Sequence, residues 1–204
     1  MSATAFVLGN GESRRGIKIN KLKQHGKVWA CNGVFRTEEP DILIAVDPKM
    51  IKEICETTYP ETHTVWSNYN HQYEKLPMAK HINFFKPSLG WSSGPTGLKQ
   101  AADEGFKEIY ILGFDYQGHP RGGNKNSFSF NNVFKDSRNY KKSTDEATFY
   151  GNWMNQTKKV LQDNPDKNFY RVVRFDGFKP HDLEFNSNFK HIDIEDFISK
   201  FKLM

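Results

Sequence analysis

Residues 5–13 read Ala-Phe-Val-Leu-Gly-Asn-Gly-Glu-Ser, a short apolar run that ends in a turn of small residues. An apolar run of this length, bounded by glycine, is typical of a buried β-strand. In folds that alternate strands and helices, the turn after the first strand lies at the carboxyl edge of a parallel sheet, where ligands bind. The stretch therefore predicts a first strand over residues 5–8 and the position of a site.

The rest of the chain alternates short apolar runs with helix-like stretches, the pattern of a parallel sheet covered by helices. Further strands are predicted over residues 27–31, 42–46, 63–66, 82–85, 108–112 and 169–175. Helices are predicted after the N-cap Asp47, from Ser92 to about Glu104 with Gly105 as the cap, from Ser143 or Thr144 to about residue 161, and over residues 194–201. The predicted fold is a three-layer, Rossmann-like α/β arrangement in a single domain of residues 1–204.

Composition excludes some classes of protein. The chain has 204 residues and a net charge of +5, its mean hydropathy is −0.73, and no apolar run approaches the roughly 18 residues that a membrane span needs. The first eight residues lack the basic region of a signal peptide. Cys31 and Cys55 do not form a C-x-x-C motif. We therefore expect reduced thiols, no transmembrane segment and a cytoplasmic location.

Residues 117–142 form a long stretch without helical or strand periodicity. Asp136 is the one acidic residue in this stretch. The basic residues are Arg121, Lys125, Lys135, Arg138, Lys141 and Lys142. A loop of this length in a compact domain is usually a functional lid or is disordered, and we predict a basic, flexible lid. Phe128, Phe130 and Phe134 lie among these lysines, so stacking of single-stranded nucleic acid on the segment is an alternative.

The turn after the first predicted strand resembles a phosphate-binding turn, but it matches no standard nucleotide fingerprint. Arg14 stands where a G-x-G-x-x-G motif has its third glycine, and the second strand ends at Asn32 instead of an acidic residue, which argues against NAD. The chain has no P-loop. Asn32, Asp47 and Asp115 also follow predicted strands, so they should meet the turn at one sheet edge. A tight turn without a ligand remains the alternative.

Candidate residues for proton transfer and for metal binding differ in their support. His119 is the histidine best placed, on the predicted lid, to act as a base or a phosphate partner. His63, His71 and His81 lack the spacing of metal ligands. We therefore predict no metal site.

Four segments carry a resemblance to known families. They are Val7–Ser13 (VLGNGES), Ala30-Cys31-Asn32, Ser92-Ser93-Gly94 and Lys107–Tyr116 (KEIYILGFDY). In this order they resemble the bacterial lipooligosaccharide sialyltransferases of glycosyltransferase family 42, and the related Rossmann-like domain of archaeal 6-hydroxymethylpterin diphosphokinases. The similarity covers about residues 4 to 116 and continues more weakly to about residue 160.

In those sialyltransferases the four motifs hold a cytidine nucleotide without a metal. The resemblance implies nucleotide contacts here by Gly9, Asn10, Gly11, Asn32, Ser92, Ser93, Gly94 and Asp115. We predict Ser13 and Tyr116 as further nucleotide-binding residues. The chain departs from the family at three places. Gly90 stands where the family has an arginine, Tyr140 aligns with its general-base histidine, and Tyr116 directly follows Asp115 instead of lying two residues on.

The function predicted from these residues is a metal-independent, sialyltransferase-like glycosyltransferase that takes a nucleotide-sugar donor as substrate and a glycan or small molecule as acceptor. Its candidate catalytic residues are His119, Tyr140 and Asp115, and its phosphate-binding lid residues are Arg121, Lys125, Arg138, Lys141 and Lys142. A diphosphokinase-like enzyme that uses ATP and Mg²⁺ through Asp47 and Asp115 is the nearest variant. The alternative from another class is a noncatalytic module that binds nucleic acid through the basic aromatic segment.

Overall fold

A parallel eight-stranded sheet forms the centre of the molecule. The computed structural model describes residues 3–203, without the side chains of Asn124 and Lys125. Every neighbouring pair of strands in this sheet is parallel. The strands are β1 (Thr4–Leu8), β2 (Lys27–Cys31), β3 (Ile42–Ile44), β4 (Val65–Asn68), β5 (Ile82–Phe85), β6 (Glu108–Leu112), β9 (Asn168–Val173) and β10 (Phe189–Asp193); β7 (His119–Arg121) and β8 (Asn124–Ser129) form a separate antiparallel hairpin.

The order of strands locates the site. Along the sheet it is β10-β9-β6-β1-β2-β3-β4-β5, so the chain builds outward from β1 in one direction and then returns to place β6 on its other side. The strand order therefore reverses between β1 and β6. In open parallel sheets the ligand-binding crevice lies at such a reversal, beyond the carboxyl ends of the strands.

Helices cover both faces of the sheet and give three layers. Alternate residues of β1 point to opposite faces, as the period of a strand requires. The helices are α1 (Ile19–Leu22), α2 (Pro48–Cys55), α3 (Tyr59–Thr62), α4 (Ser93–Asp103), α5 (Gly151–Asp163), α6 (His181–Glu184) and α7 (Ile194–Phe201). Phe6 packs on the side of α2 and α7, and Val7 packs on the side of α4 and α5. The predicted α/β, Rossmann-like fold is confirmed.

Several predicted helix ends are confirmed in atomic detail. Asp47 caps α2, because its carboxylate accepts hydrogen bonds from the backbone N–H of Lys49 at 2.8 Å and of Met50 at 3.4 Å. Ser92 occupies the N-cap of α4. Gly105 follows the end of α4 with a positive φ of 90°, the conformation that favours glycine at this position.

The predicted start of the helix that ends near residue 161 is wrong. This helix, α5, begins at Gly151 and not at Thr144. Residues 145–147 instead pair with the end of β8: the N–H of Phe130 donates to the carbonyl of Asp145 at 3.0 Å, and the N–H of Ala147 donates to that of Phe128 at 2.9 Å. These backbone groups are used in strand-like pairing and are not free to form a helical turn.

The expectation that residues 117–142 lack regular structure is also wrong for their first half, because β7 and β8 pair there as a hairpin. The sequence analysis missed β10 as well. Among residues 3–203, no helix is both long and apolar enough to cross a bilayer.

Candidate functional site

A cavity of about 400 Å³ opens at the strand-order reversal between β1 and β6. Its volume falls within the roughly 300–1,000 Å³ that is common for small-molecule sites. It is lined by the turns after β1, β2, β3 and β6, by the start of α4, and by residues of the segment that leads into α5. Of the predicted nucleotide-binding residues, those in the lining are Gly9, Asn10, Gly11, Asn32, Ser92, Ser93, Gly94, Asp115 and Tyr116.

The floor of this cavity is made by two turns whose backbones are in close contact. The N–H of Gly9 donates to the carbonyl of Leu112 at 2.8 Å, and the N–H of Gly11 donates to that of Gly113 at 2.9 Å. A Cβ on Gly9 would lie 2.7 Å from the carbonyl oxygen of Gly113, and a Cβ on Gly113 would lie 2.7 Å from that of Gly9. Glycine is therefore required at both positions by the approach of the two backbones.

The Asp115 carboxylate joins the two turns to the segment after the hairpin. It accepts hydrogen bonds from the N–H of Ser13 at 3.1 Å, from the Ser13 hydroxyl, and from the side-chain amide of Asn131 at 3.0 Å. An ionised carboxylate offers about four lone-pair sites. Asp115 thus has about one acceptor site left for a ligand hydroxyl, and Ser13 acts here as its partner.

The N-terminus of α4 opens into the cavity without a side-chain cap, because the Ser92 side chain makes no capping hydrogen bond. Next to it, the Ser93 hydroxyl donates to Asn32 Oδ1 at 2.9 Å and accepts from the N–H of Val46 at 3.2 Å. Asn32 has a positive φ of 54°, which turns the chain after β2 toward α4. Backbone N–H groups at such a helix start attract a phosphate or carboxylate.

One wall of the cavity is aromatic, which sequence analysis did not predict. Trp91, Phe114, Phe130, Tyr150 and Trp153 all belong to the lining. The rings of Tyr150 and Trp153 lie 5.1 Å apart in an edge-to-face arrangement, and burial raises the pKa of the Tyr150 hydroxyl to about 12. Such a wall offers flat apolar surfaces to a planar ring.

Tyr140 lies behind Asn10, outside the cavity lining. Its hydroxyl accepts hydrogen bonds from the N–H of Gly33 at 2.9 Å and from the Asn10 amide at 3.4 Å, and that amide also donates to the carbonyl of Cys31 at 2.9 Å. Burial raises the pKa of Tyr140 to about 12. Tyr140 therefore keeps its proton at neutral pH and helps to hold the Asn10 side chain, whose Oδ1 accepts a hydrogen bond from Arg14 at 3.2 Å.

His119 also lies outside the lining, where its ring pairs with Glu12. Glu12 also forms salt bridges with Arg15 at 2.6 Å and with Lys135 at 3.1 Å. Partial burial raises the pKa of Glu12, but hydrogen bonds from Arg15, Lys135 and His119 outweigh it and leave the pKa lowered. The structure thus places His119 in an ion cluster at the base of the hairpin.

The predicted lid cations that the structure describes do not line the cavity. Arg121 donates to the carbonyl of Thr144, Arg138 pairs with Glu56 at 2.8 Å, and Lys141 donates to the carbonyl of Glu146 at 3.2 Å. Lys142 is exposed, and the side chain of Lys125 lies outside the described part of the chain. These contacts pair Arg121, Arg138 and Lys141 with the protein's own oxygens, outside the cavity lining.

The phenylalanines of the same segment are not displayed for stacking as the nucleic-acid alternative expected. Phe130 is buried, and the ring of Phe134 lies 5.6 Å from that of Tyr140 and packs against the core. Phe128 is half-buried. A strand of nucleic acid would find few open ring faces on these side chains.

A buried arginine behind the site went unnoticed in the sequence. Arg171 is buried on β9, where its Nε donates to the carbonyl of Phe114 at 2.7 Å and its Nη2 to that of Asp115 at 3.3 Å. It also stacks over Tyr116, whose hydroxyl bonds Thr157 Oγ1 at 2.7 Å. Arg171 therefore holds the turn after β6. Its signal was a lone arginine inside an otherwise apolar strand.

No protein-family model matches the chain, and no curated protein or solved structure was found to be similar to it. The site is therefore interpreted from its own residues. Within the described residues, no group of three or more His, Cys, Asp or Glu side chains is arranged to hold a metal ion.

Proposed function

We propose that this protein is a nucleotide-binding transferase of the glycosyltransferase type, with a nucleotide-sugar donor bound in the cavity between β1 and β6. One observation carries the proposal: the uncapped N-terminus of α4 opens into a cavity at the strand-order reversal that also has an aromatic wall. An anion-binding helix start beside flat apolar surfaces suits a phosphate attached to a nucleoside.

The charged side chains of the cavity lining are acidic, which limits how much negative charge a ligand can bring. Among the described lining residues, Asp47 and Asp115 are the charged side chains, and there is no lysine or arginine. A phosphate in this cavity would therefore be held by backbone N–H groups at the start of α4. Packing requires glycine at position 94, because a Cβ there would lie 2.8 Å from the Phe114 ring. Such a site favours a donor with few phosphate charges over a free triphosphate.

The chain's own groups have separate parts in the transfer. The N–H groups at the start of α4 stabilise the negative charge that develops on the leaving phosphate, as fixed donors do in many active sites. Asp115 accepts a hydrogen bond from one hydroxyl of the donor through its remaining lone-pair site. Of the three predicted catalytic residues, Asp115 is the one that lines the cavity, and we assign it to donor binding.

A diphosphokinase-like enzyme is a second candidate, favoured by the two carboxylates in the lining. Asp47 and Asp115 are hard oxygen ligands of the kind that Mg²⁺ takes together with the phosphates of ATP. Asp47 already accepts two backbone hydrogen bonds at the start of α2, and Asp115 accepts three. We place this candidate second because those bonds leave few oxygen lone pairs for a cation.

Thermal unfolding against CMP, CDP, UDP, GDP, ADP and ATP, each with and without Mg²⁺, tests both candidates. A nucleotide present at about 100 times its Kd should stabilise the fold by about 2.7 kcal/mol. We expect a shift with one pyrimidine nucleotide that does not need Mg²⁺. A shift with ATP that requires Mg²⁺ would favour the diphosphokinase, and no shift with any nucleotide would refute both.

Two asparagines with positive φ supply a matched pair of variants. Asn32→Gly keeps the backbone conformation at φ 54° and removes the side chain that bonds Ser93 beside the start of α4. We expect it to weaken nucleotide binding about tenfold or more, which is about 1.4 kcal/mol. Asn139→Gly makes the same change at φ 63°, outside the cavity lining, and should leave the nucleotide shift intact.

A further inference from the structure

A second cavity adjoins the first. It has a volume of about 480 Å³ and shares Tyr116 and Tyr150 with the first cavity as lining residues. Tyr116 is a fixed part of this wall, because its hydroxyl bonds Thr157 at 2.7 Å and Arg171 stacks on its ring with 5.2 Å between the guanidinium carbon and the ring centre. A molecule in the second cavity would therefore lie one side chain away from a ligand in the first.

The shared wall includes a polar atom that lacks a hydrogen bond of normal geometry. The Tyr150 hydroxyl is buried near the backbone of Asn131 and the Asp115 carboxylate. Because this hydroxyl oxygen is shielded from solvent, it makes no hydrogen bond to a ligand, and Tyr150 lines the two cavities with its ring.

The lining of the second cavity combines aromatic faces with hydrogen-bonding groups. Phe128, Phe149 and Phe178 contribute rings, and Gln117, Thr148 and Glu146 contribute polar groups. Glu146 is the one charged side chain among its described lining residues. The combination suits a neutral molecule with one apolar face and several hydroxyls, which is the chemistry of a sugar ring, and it disfavours an anion.

Phe149, in the lining of the second cavity, exposes most of its ring to solvent. Its residue is 77% exposed, although its ring covers Gly151 so closely that a Cβ there would lie 2.4 Å from the ring. Most of the ring therefore faces solvent at the cavity, where it contributes little to the core. Residues 145–147, which precede it in the chain, pair with β8. Phe149 thus offers an open aromatic face at the second cavity.

We propose that the second cavity binds the acceptor substrate, a neutral sugar residue that stacks on Phe149 and donates hydroxyl hydrogen bonds to Glu146. The inference rests on the proposed function, because the acceptor role requires a donor in the first cavity. The shared tyrosine wall brings the two substrates side by side.

The test is an NMR titration of the full chain with methyl glycosides of glucose, galactose and N-acetylglucosamine. We expect at least one glycoside to shift the amide signals of residues 146–151. Phe149→Ala should weaken that binding about tenfold, or about 1.4 kcal/mol, and Glu146→Gln should weaken it about threefold or more. Phe185→Ala is the matched control: Phe185 is 74% exposed, lies outside the lining of both cavities, and should leave glycoside affinity unchanged.

Competition with a nucleotide separates this inference from the proposed function. The nucleotide that stabilises the fold is added to the glycoside complex, and both ligands should remain bound. Displacement of the glycoside, equal affinity in Phe149→Ala and the unchanged chain, or no binding of any glycoside would overturn the inference. Glycoside binding at residues 146–151 in a protein that no nucleotide affects would refute the proposed function and still support a sugar site.

Discussion

Two regions enclose the same cavity and are held in place by different forces. The turn region consists of residues 9–13 and 113–116, and the hairpin segment consists of residues 117–150. The turn region is joined by backbone hydrogen bonds between Gly9 and Leu112 and between Gly11 and Gly113. The hairpin segment is attached to the rest of the protein largely through side chains, many of them charged.

The Arg36–Glu53 pair is one attachment point of the hairpin segment. Arg36, which follows β2, donates two hydrogen bonds to Glu53 on α2 at 2.7 and 2.8 Å. It also donates to the carbonyl of Arg138 at 2.7 Å and to the Ser137 hydroxyl at 2.8 Å, and Asn139 donates to Glu53 at 2.6 Å. One ion pair therefore positions residues 137–139.

The two sides of the cavity should respond to different changes. Backbone contacts between Gly9 and Gly113 leave no room for a Cβ, so they are sensitive to side-chain volume, and their backbone hydrogen bonds do not titrate. Charged contacts of the hairpin segment depend on ionisation and, where exposed, on salt. A ligand would thus meet one rigid wall and one wall whose position depends on solution conditions.

Gly113→Ala should produce the largest effect. Gly113 has a φ of 67°, and a Cβ there would lie 2.7 Å from the Gly9 carbonyl oxygen, so the variant has both backbone strain and a clash with backbone. We expect a loss of at least about 3 kcal/mol in the free energy of unfolding, measured by urea denaturation.

Gly105→Ala separates strain from clash. Gly105 has a φ of 90° but nothing within 4 Å of its added Cβ, so we expect a loss of about 1–2 kcal/mol. Equal losses in the two variants would show that close approach of the turns does not matter, and the turn region would then be no more rigid than a helix end.

Glu53→Gln should produce an intermediate effect on the hairpin segment. The Glu53 side chain is almost fully buried, and its loss leaves Arg36 without a counter-charge, at a cost of about 2–3 kcal/mol. Glu56→Gln is the control, because Glu56 and its partner Arg138 are both exposed, so solvent screens their pair and its loss should cost much less than that of Glu53. Amide hydrogen exchange of residues 134–143 should rise in Glu53→Gln alone.

The pH dependence of the same contact gives a second measurement. Burial raises the pKa of Glu53, but hydrogen bonds from Arg36 and Asn139, together with the charges of Arg36 and Arg138, leave the net pKa lowered. A lowered folded pKa means that the stabilisation is present above the ordinary glutamate pKa of about 4.3 and is lost as the pH falls below it. A Glu53→Gln protein that keeps the same acid dependence of exchange at residues 134–143 would contradict this assignment.

His119→Gln should produce the smallest effect. The His119 side chain is 44% exposed, and its partner Glu12 retains Arg15 and Lys135. We expect a loss below about 1 kcal/mol in urea denaturation, and a smaller loss in 0.5 M salt. A loss as large as that of Glu53→Gln would show that the ion cluster at the base of the hairpin is a principal attachment.

The sequence predicted the region up to residue 116 more closely than the rest. β2, β5 and β6 match their predicted bounds, because buried parallel strands appear as short apolar runs between turn residues. The helix predicted from Thr144 instead starts at Gly151, since its first residues pair with β8. β10 was missed because Phe189-Lys-His-Ile-Asp mixes polar and apolar residues, as an edge strand paired only with β9 permits.

The candidate site divides in the same way. The glycine turns, Asn32 and the start of α4 were identified from sequence, because a residue just after a parallel strand lies at the ligand edge of the sheet. The aromatic wall that includes Trp91 and Trp153 was not, since those residues lie far apart along the chain. His119 and Tyr140 were predicted to be catalytic from their positions in the sequence. In the structure they form hydrogen bonds with other residues outside the cavity lining.

By itself, the sequence determined the strands β1 to β6 approximately and the edge of the sheet where a ligand would bind, because periodicity, glycine and helix caps act over a few residues. Tertiary structure alone decided which polar groups face a ligand and which are already satisfied. Arg138 and Glu53 each have the charge to bind a ligand, but long-range contacts give them partners within the protein. Those partners come from distant parts of the chain, so no local pattern records them.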